Sequence, residues 1–468
     1  MVPYFPRKVA TNAIVTYLIS LAIVSVVFFR YIMLWGYIVL GISWVTFFFL
    51  MTEKWSVGWR NLTEKGFVRN LFQAAVIIRL AWVIVSYFYY IYATGSPFEF
   101  DARDAAGYHA EAEWFALSDW ATIWDAYFGS GFHGVADVGY PFYLGILYKI
   151  FGPVIIIPRL IKALLSAYTC VLLYRLTSRI IGEDMGRLAG IICLLIPNFV
   201  IYCGYHLKET EMIFLEVLFL ERADALLRKA RMNFWDVFFP SLIALSLFFF
   251  RTVLGAAAGF SLATAVLFTN APSMRRNLKR AALVGWGVLC VAVIGGGALM
   301  TEIESYWEGR GENVEKKRME QTARGNRWAQ YATGTVMAPM IFVLPFSTMV
   351  NVDEQYAQQA KHSGNYVRNF MGFFVLLAFY EMIRRKQWRD LALPVSFVVA
   401  YLGVVAMSGF SNSERFLLPG LPGLILLWTY GITTLRKETF RFMNPWCVVV
   451  VLMEVGWAYF KLGSRGLF

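Results

Sequence analysis

The segment FEFDARDAAGYHAEAEWFA, residues 98–116, is polar and acidic within a chain that is otherwise largely apolar. Its composition favours a helix. On a helix Asp101, Asp104, Tyr108 and Glu111 are spaced i, i+3, i+7, i+10 and fall within roughly 80° of one face. Ionisable side chains collected beside long apolar runs mark a site of chemistry or transport in a membrane protein.

The surrounding sequence supplies that membrane setting. Of 468 residues, 58% are apolar, 17% aromatic and 16% charged, and the mean hydropathy is +0.55. Soluble domains have about 45–50% apolar and 25% charged residues. Repeated apolar runs of about the 20 residues a membrane helix needs, split by short polar stretches, predict an all-α polytopic membrane protein with about 11–13 transmembrane helices. A β-barrel would show alternation over about ten residues, which is not the pattern here. The net charge of +12 is spread over short loops, so it points to anionic headgroups and a polyanionic lipid substrate rather than nucleic acid. Cys170, Cys193, Cys203, Cys290 and Cys447 lie in or near apolar runs without metal spacing and read as small core residues. The first apolar run lacks a small-residue cleavage site, so no cleavable signal peptide is expected.

Placing Lys and Arg in the cytoplasm orients the runs. Arg7 and Lys8 precede runs at 10–29 and 32–51, and the loop after them holds Lys54, Arg60, Lys65 and Arg69. Run 71–93 then exits, and 94–158 becomes an outer loop that carries the acidic segment. Residues 141–152, PFYLGILYKIFG, are too short to span and read as an interfacial or re-entrant helix. Run 159–180 returns to Arg175, Arg179 and Arg187. Runs at 188–205, 210–227, 234–250, 252–270, 281–300, 366–383, 391–409, 417–434 and 446–461 continue the alternation. The chain thus divides into a hairpin and cytoplasmic loop (1–70), a core (71–300), an outer loop (301–365) and C-terminal helices (366–468). Within the third part, 301–335 is hydrophilic. The stretch 336–350, with Pro339 and Pro345, reads as a second re-entrant or interfacial piece. No internal repeat is visible, whereas many transporters are built from inverted repeats.

This topology collects polar residues on the outer side. Asp101, Asp104, Tyr108, His109 and Tyr140 come from the first loop; His206, Lys208 and Glu209 from YHLKETE (205–211); Arg251 from a turn; Arg415 from SNSERF (411–416). A carboxylate within reach of an acceptor hydroxyl, with cations for a departing phosphate, is the minimum kit for group transfer from a phosphate carrier. Lys208, Arg251 and Arg415 are the candidate phosphate holders. Each residue also has a structural reading. Asp101 would serve as N-cap with Asp104 at N3, and Trp114, Trp120 and Trp124 as an interfacial belt. Tyr140-Pro141 would start the short helix, Lys208 and Glu209 would pair with each other, and Arg251 and Arg415 would snorkel. His109, His133, His206 and His362 lack ligand spacing, so no cofactor is indicated, a divalent metal included.

Several strings resemble the glycosyltransferase C superfamily, and within it the family-39-like membrane transferases such as protein mannosyltransferases and lipid A aminoarabinose transferases. Asp104-Ala-Ala-Gly-Tyr108-His109 is similar to the DA-x-x-Y-h signature of that group. Gly139-Tyr140-Pro141-Phe142-Tyr143 with its short helix, the run RLIKALLSAYTCVLLYRLTSRIIG, Pro197 to Tyr202 with Lys208-Glu209-Thr210, and Glu414-Arg415-Phe416 with Pro419 and Pro422 follow in the family's order. The resemblance covers about 95–230 plus the late turn. The first two runs are additional, and 301–335 has no counterpart.

The resemblance implies an inverting transfer from a polyprenyl-phosphate-linked sugar to an extracytoplasmic glycan, lipid or protein acceptor, without nucleotide sugar or metal. It implies Asp104 as base or acceptor-orienting group and Glu209 as a second acid, with Tyr108, His109, His206 and Tyr140 near acceptor or sugar. The family often has an adjacent acidic pair; here two residues separate Asp101 from Asp104, so the choice between them stays open. A transporter or flippase of a lipid-linked glycan, a ligase moving a whole glycan, and a non-catalytic scaffold are the competing readings. Compact loops favour a bacterial inner membrane with the site facing the periplasm.

Overall fold

The computed structural model describes residues 4–128, 138–229, 233–268, 338–352, 355–407, 413–463 and 465–467. The described residues form helices and turns, with no strand among them beyond an isolated bridge between Ile32 and Val350. In order the helices are α1 (Arg7–Val27), α2 (Trp35–Gly58), α3 (Glu64–Thr94), α4 (Arg103–Leu117), α5 (Trp120–Phe128) and α6 (Gly139–Phe151). Next come α7 (Ile156–Ile181), α8 (Glu183–Leu195), α9 (Pro197–Cys203), α10 (Glu209–Arg228), α11 (Phe234–Phe250) and α12 (Thr252–Phe268). The last are α13 (Tyr356–Arg385), α14 (Ala392–Met407), α15 (Glu414–Leu417), α16 (Leu421–Thr433), α17 (Lys437–Phe440) and α18 (Met443–Gly463).

Among the described residues, seven stretches are long and apolar enough to cross a membrane: α1, α2, α3, α7, α13, α15 with α16, and α17 with α18. The run at 188–205 appears as α8 and α9, bent by 48° at Pro197, and counts as an eighth if the pair is one span. Helices α11, α12 and α14 are apolar but shorter. Helix α10, at the predicted run 210–227, buries Glu211, Glu216, Glu221 and Asp224, and with this charge load it is not among the stretches apolar enough to cross. The run 281–300 and the loop 301–335 lie outside the described residues. From 338 to 350 the chain makes one 3-10 turn and then a buried irregular strip from Ile341 to Val350.

Ends of helices follow their local chemistry. Thr63 caps α3 by accepting from the Gly66 N–H, and Gly95 closes it at φ 74°. The short outer helix predicted at 141–152 is present as α6, 13 residues long, packed on α4. That crossing is close: a Cβ on Gly145 would stand 2.3 Å from the Phe115 ring. The expected N-cap role of Asp101 is not found. Ala102 precedes the helix and no side chain caps it, because Asp101 sits in a left-handed turn at φ 59°. At the centre α7 packs on α3, α8 and α10, while α13 packs on α2 and α16. All thirteen residues of α16 are buried. Gly431 brings α16 against α13, where an added Cβ would meet the Phe374 carbonyl oxygen at 2.2 Å.

Candidate active site

The site forms at the end of the bundle where α3 finishes and α10 begins. Its hub is Arg415 on α15, only four residues long and therefore held from outside. The neighbouring Glu414 carboxylate anchors it, accepting from Asn198 Nδ2 at 2.5 Å and pairing with Lys361 at 3.2 Å. From this mount the Arg415 guanidinium reaches three groups. Nη1 donates to Asp104 Oδ2, Nε to Glu209 Oε1, and Nη2 to the Tyr108 hydroxyl at 3.3 Å. Residues 206 and 311 positions away in sequence are thereby joined in one polar ring.

Two more cations complete it. Arg251 occupies the extended break between α11 and α12 and lies 3.7 Å from Glu209 Oε1. It stacks on the Phe416 ring at 4.4 Å and donates to the Tyr401 hydroxyl at 3.1 Å. Lys208 donates to the Phe250 carbonyl at 2.9 Å and approaches the Tyr108 ring at 6.0 Å. Burial pushes the Lys208 ammonium down to about 7, with the Arg251 charge adding to the shift. Glu209 is fully buried, whereas the Asp104 side chain is 59% exposed. One acid is therefore sequestered among cations, and the other faces the open side of the ring.

A second group adjoins the first through Tyr140, whose ring meets Tyr108 at 5.1 Å and His206 at 6.2 Å. His109 Nδ1 lies 2.8 Å from the Tyr148 hydroxyl, which lies 3.3 Å from His206 Nε2. Burial holds the His206 imidazole well below its usual pKa, helped by Lys162 and Arg159, and lowers His109 as well. Near neutral pH both rings are uncharged, so each offers one donor and one acceptor.

The structure thus brings together Asp104, Tyr108, Lys208, Glu209, Arg251 and Arg415, and places His109, Tyr140 and His206 beside them. Asp101 stands apart, exposed before α4, with no ion pair or side-chain hydrogen bond to any described residue. Of the two candidate acids in the loop, Asp104 is the one in the ring.

Sequence reasoning missed the support beneath. Lys162 on α7 donates to the Tyr205 carbonyl at 3.0 Å and to the Leu207 carbonyl, and lies 3.6 Å from Glu211. Glu99 accepts from the His206 N–H at 3.1 Å and lies 3.6 Å from Arg159. Together they fix the 204–208 turn that presents Lys208 and Glu209. The available signal was RLIK at 159–162: two cations opening an apolar run demand buried partners. Among the described residues no group of three or more His, Cys, Asp or Glu side chains could hold a metal ion.

No protein-family model matches the chain, and no curated protein matches it significantly. Solved structures do. The archaeal oligosaccharyltransferase AglB from Archaeoglobus fulgidus, in complex with an inhibitory peptide and a dolichol-phosphate, is similar at a TM-score of 0.49 and 11% identity. That match covers 86% of this chain and 56% of the other. The Archaeoglobus fulgidus oligosaccharyltransferase in complex with Zn and sulfate is similar at 0.48 and 13%, over 85% of this chain and 52% of the other. The chain spans just over half the length of these structures.

Proposed function

We propose that the chain is a glycosyltransferase of the glycosyltransferase C type. It moves a sugar from a polyprenyl-phosphate carrier to an acceptor hydroxyl on the non-cytoplasmic side of a membrane, with inversion. The observation that carries this reading is the Arg415 ring: an exposed acid, a buried acid and three cations drawn from four separate segments. In the reaction, the acceptor oxygen bonds to the anomeric carbon as the bond from that carbon to the phosphate oxygen breaks. The acceptor proton goes to Asp104, the exposed acid. Lys208, Arg251 and Arg415 receive the charge that develops on the leaving polyprenyl phosphate, in a water-poor setting where cations act strongly. Glu209 holds Arg251 and Arg415 in place, and Tyr108, Tyr140, His109 and His206 line the sugar or acceptor side.

A cleft of about 500 Å³ supports the carrier assignment. Phe142, Ile146, Leu165, Phe214, Leu215 and Phe249 line it together with Phe250, whose carbonyl receives Lys208. An isoprenoid chain in this cleft would deliver its phosphate to Lys208 and Arg251.

The test is release of free polyprenyl phosphate by purified protein from a panel of polyprenyl-phosphate sugars and one lipid-linked oligosaccharide. Wild type and Asp104→Asn are compared, each with donor binding measured in parallel. Sugar-dependent release that disappears in the variant while binding persists is the expected result. Release from the oligosaccharide donor alone would replace the reading with whole-glycan transfer. No release from any donor, with lipid moved equally by both proteins, would replace it with a flippase.

A further inference from the structure

The end of the bundle opposite the Arg415 ring carries a second cleft, of about 510 Å³, between α3 and α7. Its walls come from one face of each helix. Lys65, Val68, Arg69 and Phe72 are spaced three and four residues apart on α3, and Tyr168, Val171 and Arg175 likewise on α7. Both faces are graded the same way. Lys65 and Arg175 lie nearest the helix ends with Arg69 one turn further in on α3, and Phe72 and Tyr168 lie about 10 Å, two turns, beyond Lys65 and Arg175.

These cations differ from their neighbours. Arg179 pairs with Glu221 at 2.5 Å and with Asp224 at 3.3 Å. Arg187 binds Glu183 at 2.5 Å and donates to the carbonyls of Trp59, Arg60 and Leu62. Lys65, Arg69 and Arg175 are exposed, and none has an ion-pair or side-chain hydrogen-bond partner among the described residues. Three uncommitted cations therefore face one cleft whose deeper wall is half-buried hydrocarbon and aromatic ring.

We propose that this cleft binds an anionic glycerophospholipid of the leaflet opposite the candidate site. Its phosphate sits between Arg69, Arg175 and Lys65, and the start of an acyl chain lies along Val68, Phe72 and Val171. A soluble phosphate would use the cations but not the apolar wall, whereas a zwitterionic lipid would use the wall but gain less from three positive charges. Glu64, on the same rim, suits a headgroup that carries a hydroxyl or ammonium beside its phosphate.

The experiment uses the full chain in phosphatidylcholine nanodiscs doped with phosphatidylglycerol, with retained lipid counted by native mass spectrometry after release into detergent. Wild type is expected to keep one phosphatidylglycerol, and Lys65→Gln/Arg69→Gln/Arg175→Gln to lose it about tenfold more readily. The control Arg60→Gln/Lys386→Gln/Arg441→Gln removes the same charge elsewhere and should retain the lipid. Val68→Trp, which keeps every cation and narrows the cleft, should also lose it. Equal loss in the two triple variants would reduce the effect to general surface charge and overturn the proposal. Retention in both cleft variants would overturn it as well. Displacement of the lipid by millimolar glycerol phosphate would assign the cleft to a soluble anion instead.

Discussion

Arg415 serves two carboxylates at once, Asp104 and Glu209, so under the proposed function a donor phosphate entering the ring would compete with Asp104 for its guanidinium. Asp104→Asn removes the competitor, and donor binding should tighten by up to about fivefold, the scale of a partly exposed ion pair. Titration of donor against protein by fluorescence or calorimetry measures this, and weaker binding would contradict it. Lys208 gives the site a pH dependence of definite sign. Its ammonium titrates at about 7, so it is a cation below that value and neutral above it. An anionic donor favours the cation, and donor affinity should therefore fall by about tenfold from pH 6 to pH 8. Lys208→Arg should flatten the profile and keep affinity, while Lys208→Met should flatten it at weak affinity. A wild-type profile that is flat, or that rises with pH, would remove Lys208 from the phosphate site.

The bend between α8 and α9 shows how an element positions the site. Pro197 has no N–H, so the Cys193 carbonyl, four residues earlier, loses its helical partner. Arg79, buried within α3, replaces it, donating to the Cys193 and Leu194 carbonyls at 3.1 Å each and to Ser166 Oγ at 2.7 Å. The bend in turn aims α9 and the 204–208 turn at the ring. Arg79→Met strips the partner from two buried carbonyls, at a cost of about 1–3 kcal/mol for each. Thermal unfolding in detergent should show the loss, and Pro197→Ala, which restores a helical donor to Cys193, should recover part of it. An additive double variant would refute the coupling. Nothing in the linear sequence paired Arg79 with Pro197. The apolar run at 71–93 shows that a helix forms but not which helix it faces, and a side-chain-to-carbonyl bond leaves no periodic trace.

At the scale of the whole molecule, what could be read in advance were the features that depend on length and charge. Long apolar runs gave the helices, and the shortness of 141–152 marked α6 as a helix too short to span. Asp104, Tyr108, Glu209 and Arg415 were legible as polar residues stranded at helix ends. The supporting layer of Glu99, Arg159, Lys162 and Lys361 was not, since its role appears only once α7 and α13 are packed beside the turn. The proposed orientation is itself testable with single cysteines in a background lacking the native five. Asp119→Cys should react with an impermeant maleimide in right-side-out vesicles, and Arg60→Cys only after permeabilisation; the reverse pattern would invert the protein. The ring also carries a charge balance. Lys208, Arg251 and Arg415 face Asp104 and Glu209, leaving a surplus of one positive charge when Lys208 is protonated. A phosphodiester donor carries one negative charge and neutralises that surplus on arrival. In the proposed reaction, transfer would leave a phosphomonoester with two negative charges while Asp104 held the acceptor proton, so the total would be unchanged at the moment of reaction. Once that proton left for solvent, the loaded site would be net negative, and the spent carrier would be repelled from the ring that had attracted it.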